Sequence, residues 1–216
     1  MHKYANTKQE DTIYSTAEMS AVIKFNKAKI FFLHPIVKLL DKIGVTPNMV
    51  SLLSAIVAVF AFILSYLYST PVYFVIGIWI HMLLDAIDGT LARYKNKMSS
   101  NGAIIDSLCD HLGIILACFF SYLFFLIEGS YILIFAILYS ILIGIIFYLL
   151  KNKSSFFFVV RPRFYLYAAL TFDVFYLTHL SYYVVFISSI IMFVEIIIGV
   201  IKILSLRKHT LKNESH

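Results

Sequence analysis

The chain is 216 residues long, 61% hydrophobic and only 14% charged, with a net charge of +6, whereas a soluble globular domain has about a quarter of its residues charged. Its 20 Phe and 15 Tyr exclude a disordered chain, its two Cys exclude a disulfide-stapled secreted domain, and eight Gly with four Pro exclude a collagen-like or linker protein. A polytopic membrane protein remains: a span needs about 20 apolar residues, so residues 46–206 have room for about six.

Residues 1–20 are charged and polar throughout and lack the apolar core of a signal peptide, so the first span is expected to act as the targeting signal. Residues 1–45 read as a cytoplasmic arm. Within it the stretch from Thr16 to Gly44 mixes Val22, Phe25, Phe31, Ile36, Leu40 and other apolar residues with five lysines. That pattern suits an amphipathic helix lying in the membrane interface, kinked at Pro35 and ended by Gly44. Thr46, Pro47 and Asn48 then read as N-cap, N1 and N2 of the first span, with Pro47 where a missing N–H is harmless. A helix N-terminus with free N–H groups thus opens at the cytoplasmic face, where it can receive a phosphate or polar ligand.

Six apolar stretches follow in the membrane domain, residues 46–206: Asn48 to Ser69, Val72 to Arg93, Ala103 to Ile127, Ser130 to Leu150, Ser154 to Leu180 and Ser181 to Leu206. Residues 207–216 read as a cytoplasmic tail. The turns at Thr70 and Pro71, at Glu128 and Gly129, and near Leu180 contain no Lys or Arg, while basic residues crowd the arm, the Arg93 to Lys97 connection, Lys151 and Lys153, and the C-terminus. By the positive-inside rule both termini are cytoplasmic. The basic residues form short runs beside spans rather than one stripe, which fits orientation in a bilayer and not nucleic-acid binding. Cys109 and Cys118 are too far apart along one helix to pair.

The second and third spans carry the chemistry. Asp85 and Asp88 lie three apart, and Asp106 and Asp110 four apart, so each pair occupies one helix face. The polar connection from Tyr94 to Asn101 is short, so a helical hairpin brings all four carboxylates to one depth near the cytoplasmic edge. An unpaired intramembrane Asp costs roughly 2.5 to 3.5 kcal/mol at full depth, and divalent cations relieve that load. A donor set of oxygen alone favours Mg²⁺ or Mn²⁺, and four carboxylates suffice for two ions. Gly89 and Gly102 flank the cluster and leave backbone open to a flat nucleotide.

The complete string, Asp85-x2-Asp88-Gly89-x2-Ala92-Arg93-x8-Gly102-x3-Asp106-x3-Asp110, resembles the signature of the CDP-alcohol phosphotransferases at every fixed position. The likeness extends to the six-span layout, the interfacial arm and the Gly44-Val45-Thr46-Pro47-Asn48 approach to the first span. It implies an integral membrane transferase that moves a phosphate-linked alcohol group from a CDP-alcohol, preferably CDP-diacylglycerol, to the hydroxyl of a small alcohol or alcohol phosphate, with release of CMP. It further implies that Asp85, Asp88, Asp106 and Asp110 hold Mg²⁺ or Mn²⁺, with Asp110 also taking the acceptor's proton. The CDP part would be contacted by Asn48, Met49, Val50, Ser51, Gly89, Arg93 and Ser99, and a homodimer is expected by resemblance alone.

Other polar residues in the spans admit two readings each. Arg161 and Arg163 either hold an acceptor's phosphate or snorkel to the interface. Glu195 either pairs with one of them or lies at a dimer interface. His81, one turn before Asp85, either orients it or is a packing histidine. Asp173 reads as a solvated boundary charge and His111 as an ordinary packing residue. The rival to an enzyme is a divalent-cation carrier or a non-catalytic membrane scaffold, and metal-dependent CMP release from a CDP-lipid separates the two. The charge pattern makes one prediction: labels placed at either terminus or at residue 97 are reached only from the cytoplasmic side, and external labelling at residue 97 overturns the six-span arrangement.

Overall fold

The computed structural model describes residues 31–97, 100–152 and 162–214, and every described element is helical. Helix α1 covers residues 31–42. It is followed by α2 (Pro47–Tyr68), α3 (Val72–Tyr94), α4 (Ser100–Phe125), α5 (Gly129–Lys151), α6 (Pro162–Tyr176) and α7 (Leu180–Glu214). Five of these, α2 to α5 and α7, are long and apolar enough to cross a membrane; 22 residues of α2 rise about 33 Å, the thickness of a bilayer core. The described part of α6 has 15 residues. The expected fifth span begins at Ser154, and residues 153–161 lie outside the described residues.

The lead-in to the first span is built as its residues dictate. Helix α1 passes through Pro35 without a break and stops at Gly44, whose φ of 79° is open to glycine at no steric penalty. The Val45 N–H turns back to the Leu40 carbonyl at 3.0 Å, satisfying an end carbonyl of α1. Thr46 caps α2, its hydroxyl accepting from the Met49 N–H at 3.4 Å, and Pro47 opens the helix. Lys95, at the far end of α3, clamps this junction: its Nζ donates to the Val45 carbonyl at 2.7 Å and pairs with Asp41 at 3.2 Å.

Helix α1 has two apolar faces. Leu33 and Val37 pack against Val50 of α2 and Ile87 and Leu91 of α3, while Phe31, Phe32, Ile36 and Leu39 are exposed beside Lys38 and Lys42. An outward apolar face next to lysines is what an interfacial helix requires.

The transmembrane helices pack closely where small residues permit. Gly77 of α3 faces Ala61 of α2 so directly that a Cβ at Gly77 would overlap the Ala61 methyl group, the small-against-small contact by which helices associate in lipid. At the other end of the pair, the Ser65 hydroxyl accepts from the Phe74 N–H at 2.7 Å and donates to the Thr70 carbonyl at 2.8 Å. Helix α4 packs on α2 and α5, α6 packs on α3, α4 and α7, and α5 packs on α7. The main core runs through Phe74, Phe120, Phe135, Leu166 and Met192.

One expectation changes. Asp173 is not a solvated boundary charge: it is fully buried and accepts from the Thr178 hydroxyl at 2.6 Å, the Leu180 N–H at 2.7 Å and the Ser181 N–H at 2.8 Å. The turn after α6 folds the chain back, so this carboxylate caps the first turn of α7 and satisfies its orphan donors. Helix α7 runs on to Glu214, through the stretch read as a tail; no Gly or Pro after Gly199 stops it. Cys109 and Cys118 are both free thiols, as expected.

The Gly77–Ala61 contact is open to a direct test. Gly77→Ala should force α2 away from α3 and lower thermal stability in detergent by about 1 to 3 kcal/mol, a usual range for overpacking. Adding Ala61→Gly should recover most of the loss, and no recovery would place the damage elsewhere.

Candidate active site

The carboxylates converge because two helices, α3 and α4, present them at one end of the bundle. Asp85 and Asp88 sit in the last turns of α3 and Asp106 near the start of α4. Asp85, Asp88 and Asp106 each bring a carboxylate oxygen within 4.8 Å of the others. Three hard, anionic donors at that spacing fit a divalent cation such as Mg²⁺ or Mn²⁺. No His or Cys belongs to this group.

Asp110 stands beside the trio and is tied elsewhere. Its Oδ1 pairs with Nη1 of Arg163, whose Nη2 reaches Asp85 Oδ2 at 3.1 Å. Arg163 is therefore a bridge between α3 and α4, supplied by α6, and at 8% exposure it is no snorkelling residue. The guanidinium has five N–H donors in a fixed fork, so donors remain for a further anion after both pairs are made. His81 approaches Asp110, not Asp85: its Nε2 is 3.9 Å from Asp110 Oδ1.

Asp88 is held from α2. The Ser51 hydroxyl donates to Asp88 Oδ2 at 2.5 Å, and both residues are 3% exposed. Ser51 thus acts on a carboxylate as well as on the space above it.

Beside the trio runs an open groove between the helix ends. Pro47, Asn48 and Ser51 line it from α2; Asp88, Gly89, Ala92 and Arg93 from α3; Gly102, Ala103 and Asp106 from α4. A Cβ added at Gly89 would meet nothing within 4 Å, so this helix surface is bare backbone facing open space. The α2 N-terminus and Arg93 make the groove's rim favourable to anions.

Most residues expected at this site are present, but not all. Asn48, Ser51, Gly89 and Arg93 line the groove. Met49 and Val50 do not: Met49 is more than half exposed, and Val50 is buried among Leu33, Val37, Ile87 and Leu91. Successive helical residues point about 100° apart, so four in a row cannot share one face. Ser99 and Arg161 lie outside the described residues. Lys97 lines the groove and was read from sequence only as an orientation charge; its place four residues after Arg93 was the available signal. His111 is a packing residue, stacked on Tyr139 and 3.2 Å from the Ser140 hydroxyl.

Ser51→Ala removes a charge-assisted bond and frees the Asp88 carboxylate to turn. The apparent affinity for Mn²⁺, read by direct titration, should fall about 10-fold or more, the usual penalty for losing a partner of a metal-binding side chain. An unchanged affinity would mean Asp88 needs no support from α2.

Comparison with known proteins agrees with this geometry. The CDP-alcohol phosphatidyltransferase family matches residues 44–201. Archaetidylinositol phosphate synthase of Aeropyrum pernix is 34% identical over 92 residues, 41% of this chain, and the chain spans about half of that relative, 47%. The fold is similar to crystal structures of phosphatidylinositol phosphate synthase from Mycobacterium tuberculosis. With CDP-DAG bound, that enzyme superposes with a TM-score of 0.66 at 16% identity over 77% of this chain and 90% of the other. Its complex with manganese and citrate gives the same TM-score at 15% identity, over 77% and 86%. Matched over more than half its length, with the carboxylates and groove inside the matched region, the chain belongs to the CDP-alcohol phosphatidyltransferase family.

Proposed function

We propose that the protein transfers a phosphatidyl group from CDP-diacylglycerol to the hydroxyl of a small alcohol phosphate and releases CMP. The observation that carries this reading is the Asp85, Asp88 and Asp106 trio opening directly onto a groove with bare helix backbone at Gly89 and a cationic rim at Arg93. A carrier or scaffold has no use for that groove. Relatives named as synthases of inositol phosphate lipids favour an inositol phosphate acceptor.

The four aspartates would hold one or two Mg²⁺ or Mn²⁺ ions, which neutralise the donor's diphosphate and stabilise CMP as it leaves. The chain's own residues supply the rest. Asn48 and Gly89 receive the nucleotide closely, and Arg93 and Lys97 meet negative charge at the rim. Arg163 uses its remaining donors to draw an acceptor's phosphate to the inner edge of the site, and Arg161 is proposed as its companion. Asp110, beside Arg163, accepts the proton from the acceptor hydroxyl. The oxygen then bonds to the lipid-linked phosphorus, and the bond to the bridging oxygen of CMP breaks with its electron pair staying on CMP. Ser99, in the connection between α3 and α4, is proposed as a further contact to the donor.

The site faces the cytoplasm with both termini there, six spans cross the membrane, and the working unit is a homodimer in this reading. A groove open sideways leaves the donor's acyl chains in lipid.

Purified protein in nanodiscs, given CDP-diacylglycerol and a panel of labelled alcohols, should release CMP only with Mg²⁺ or Mn²⁺, fastest with inositol phosphate. No CMP release with any acceptor would overturn the proposal. Asp110→Asn should reduce turnover by about 10² to 10⁴, the range for loss of a general base, while CDP-diacylglycerol binding persists. Activity within a few-fold of the parent would remove Asp110 from the role of base.

A further inference from the structure

A second polar layer lies one helical turn deeper in the bundle than the carboxylates. His81 precedes Asp85 by four residues on α3, Gly113 follows Asp110 by three on α4, and Tyr167 follows Arg163 by four on α6. A helical turn carries each from the site toward the membrane interior. These three positions meet at one point. A Cβ built on Gly113 would lie 2.6 Å from the Tyr167 hydroxyl and 2.8 Å from His81 Nε2, closer than real atoms pack. Both side chains are fully buried, so neither can swing into solvent to make room.

The layer touches the site through Asp110. His81 Nε2 is 3.9 Å from Asp110 Oδ1, the oxygen that also pairs with Arg163. That oxygen is itself inaccessible, whereas the Asp110 side chain as a whole is 21% exposed, so its exposed atoms lie elsewhere on the side chain. The Tyr167 hydroxyl is buried with no hydrogen-bond partner among the described residues. Leaving a buried hydroxyl unsatisfied is unfavourable, and a Phe would fill the same space without that penalty. A tyrosine at this point is poorly explained by packing.

We propose that His81, Gly113 and Tyr167 form a positioning layer that holds Asp110 Oδ1 inward, beside Arg163, and so presents Oδ2 to the acceptor hydroxyl. Tyr167 and His81 supply polar atoms that turn the carboxylate and the guanidinium fork; Gly113 supplies the room that lets α4 close on them. The layer acts on acceptor use and leaves the donor groove, formed by α2, α3 and α4 at the helix ends, untouched.

The inference rests on the transfer reaction proposed above: CMP release by the parent protein tests that reaction, and variant-to-parent ratios test the layer. Tyr167→Phe keeps the ring and removes only the hydroxyl. It should lower kcat/KM for the acceptor about 10- to 100-fold, as outer partners of a site typically do, with donor KM and CDP-diacylglycerol binding within about twofold of the parent. His81→Gln should do the same. If Tyr167 only packs, Tyr167→Phe leaves the kinetics unchanged and stability equal or higher, and that result overturns the layer. Gly113→Ala should be more damaging, and Tyr167→Phe should harm the Gly113→Ala protein less than it harms the parent, because the hydroxyl that the new methyl strikes is gone. Independent, additive effects of the two substitutions would also overturn the layer.

Discussion

Carboxylates brought together at the edge of a membrane need compensating positive charge, and Arg163 is where the fold provides it. Its two terminal nitrogens engage Asp110 on α4 and Asp85 on α3, so one cation from α6 joins the two helices that carry the acidic residues. Moving these charges out of water is expensive, and the attraction repays it only when geometry and hydrogen bonding are good. A lysine would present one compact charge to one carboxylate at a time; the planar fork of arginine spans both. Asp85, Asp88 and Asp106 share the space that suits a divalent cation, while Asp110 is kept at Arg163's side.

The backbone devices around this centre fix where the helices begin and how near they come. Lys95 fastens the loop before α2 to the end of α3, which sets the α2 N-terminus beside the acidic turns. Gly77 against Ala61 then brings α2 and α3 into backbone-close contact, and Ser51 reaches Asp88 across that interface. A shift of α2 along α3 would break all of these together, so the α2 and α3 walls of the groove and the Ser51–Asp88 bond depend on one helix pair.

Much of this was legible in the sequence, and the rest was hidden for a definite reason. Span lengths, the Thr46 cap, Gly44 as a helix stop and the facing of Asp85 with Asp88 all follow from periodicity within a single helix. Spacing along one helix does not reveal how neighbouring helices are rotated. Arg163 was equally compatible with snorkelling until α6 was seen packed against α3 and α4. Tyr167 was indistinguishable from the other 14 tyrosines of an aromatic chain. Asp173 looked like a boundary charge because its partners at 178, 180 and 181 reach it only after the chain turns back. Val50 shows the converse error, since the 100° step from Ser51 turns it out of the groove and into the packing against Leu33, Ile87 and Leu91.

The two faces of the site are therefore built from different parts of the chain. Groove residues lie at helix ends on α2, α3 and α4, where bare backbone and cations at the rim face open space. Arg163 and the polar layer beneath it come from the other side, with α6 inserted behind α3 and α4. Asp85 joins the two, since it belongs to the carboxylate trio and also pairs with Arg163, and Asp110 stands beside it on the same guanidinium. Such a division separates the residues of the motif on α3 and α4 from those that α6 supplies. If Arg163 receives the acceptor as proposed, residues that discriminate one alcohol phosphate from another are to be sought on the α6 face that looks toward Asp110, and not in the groove.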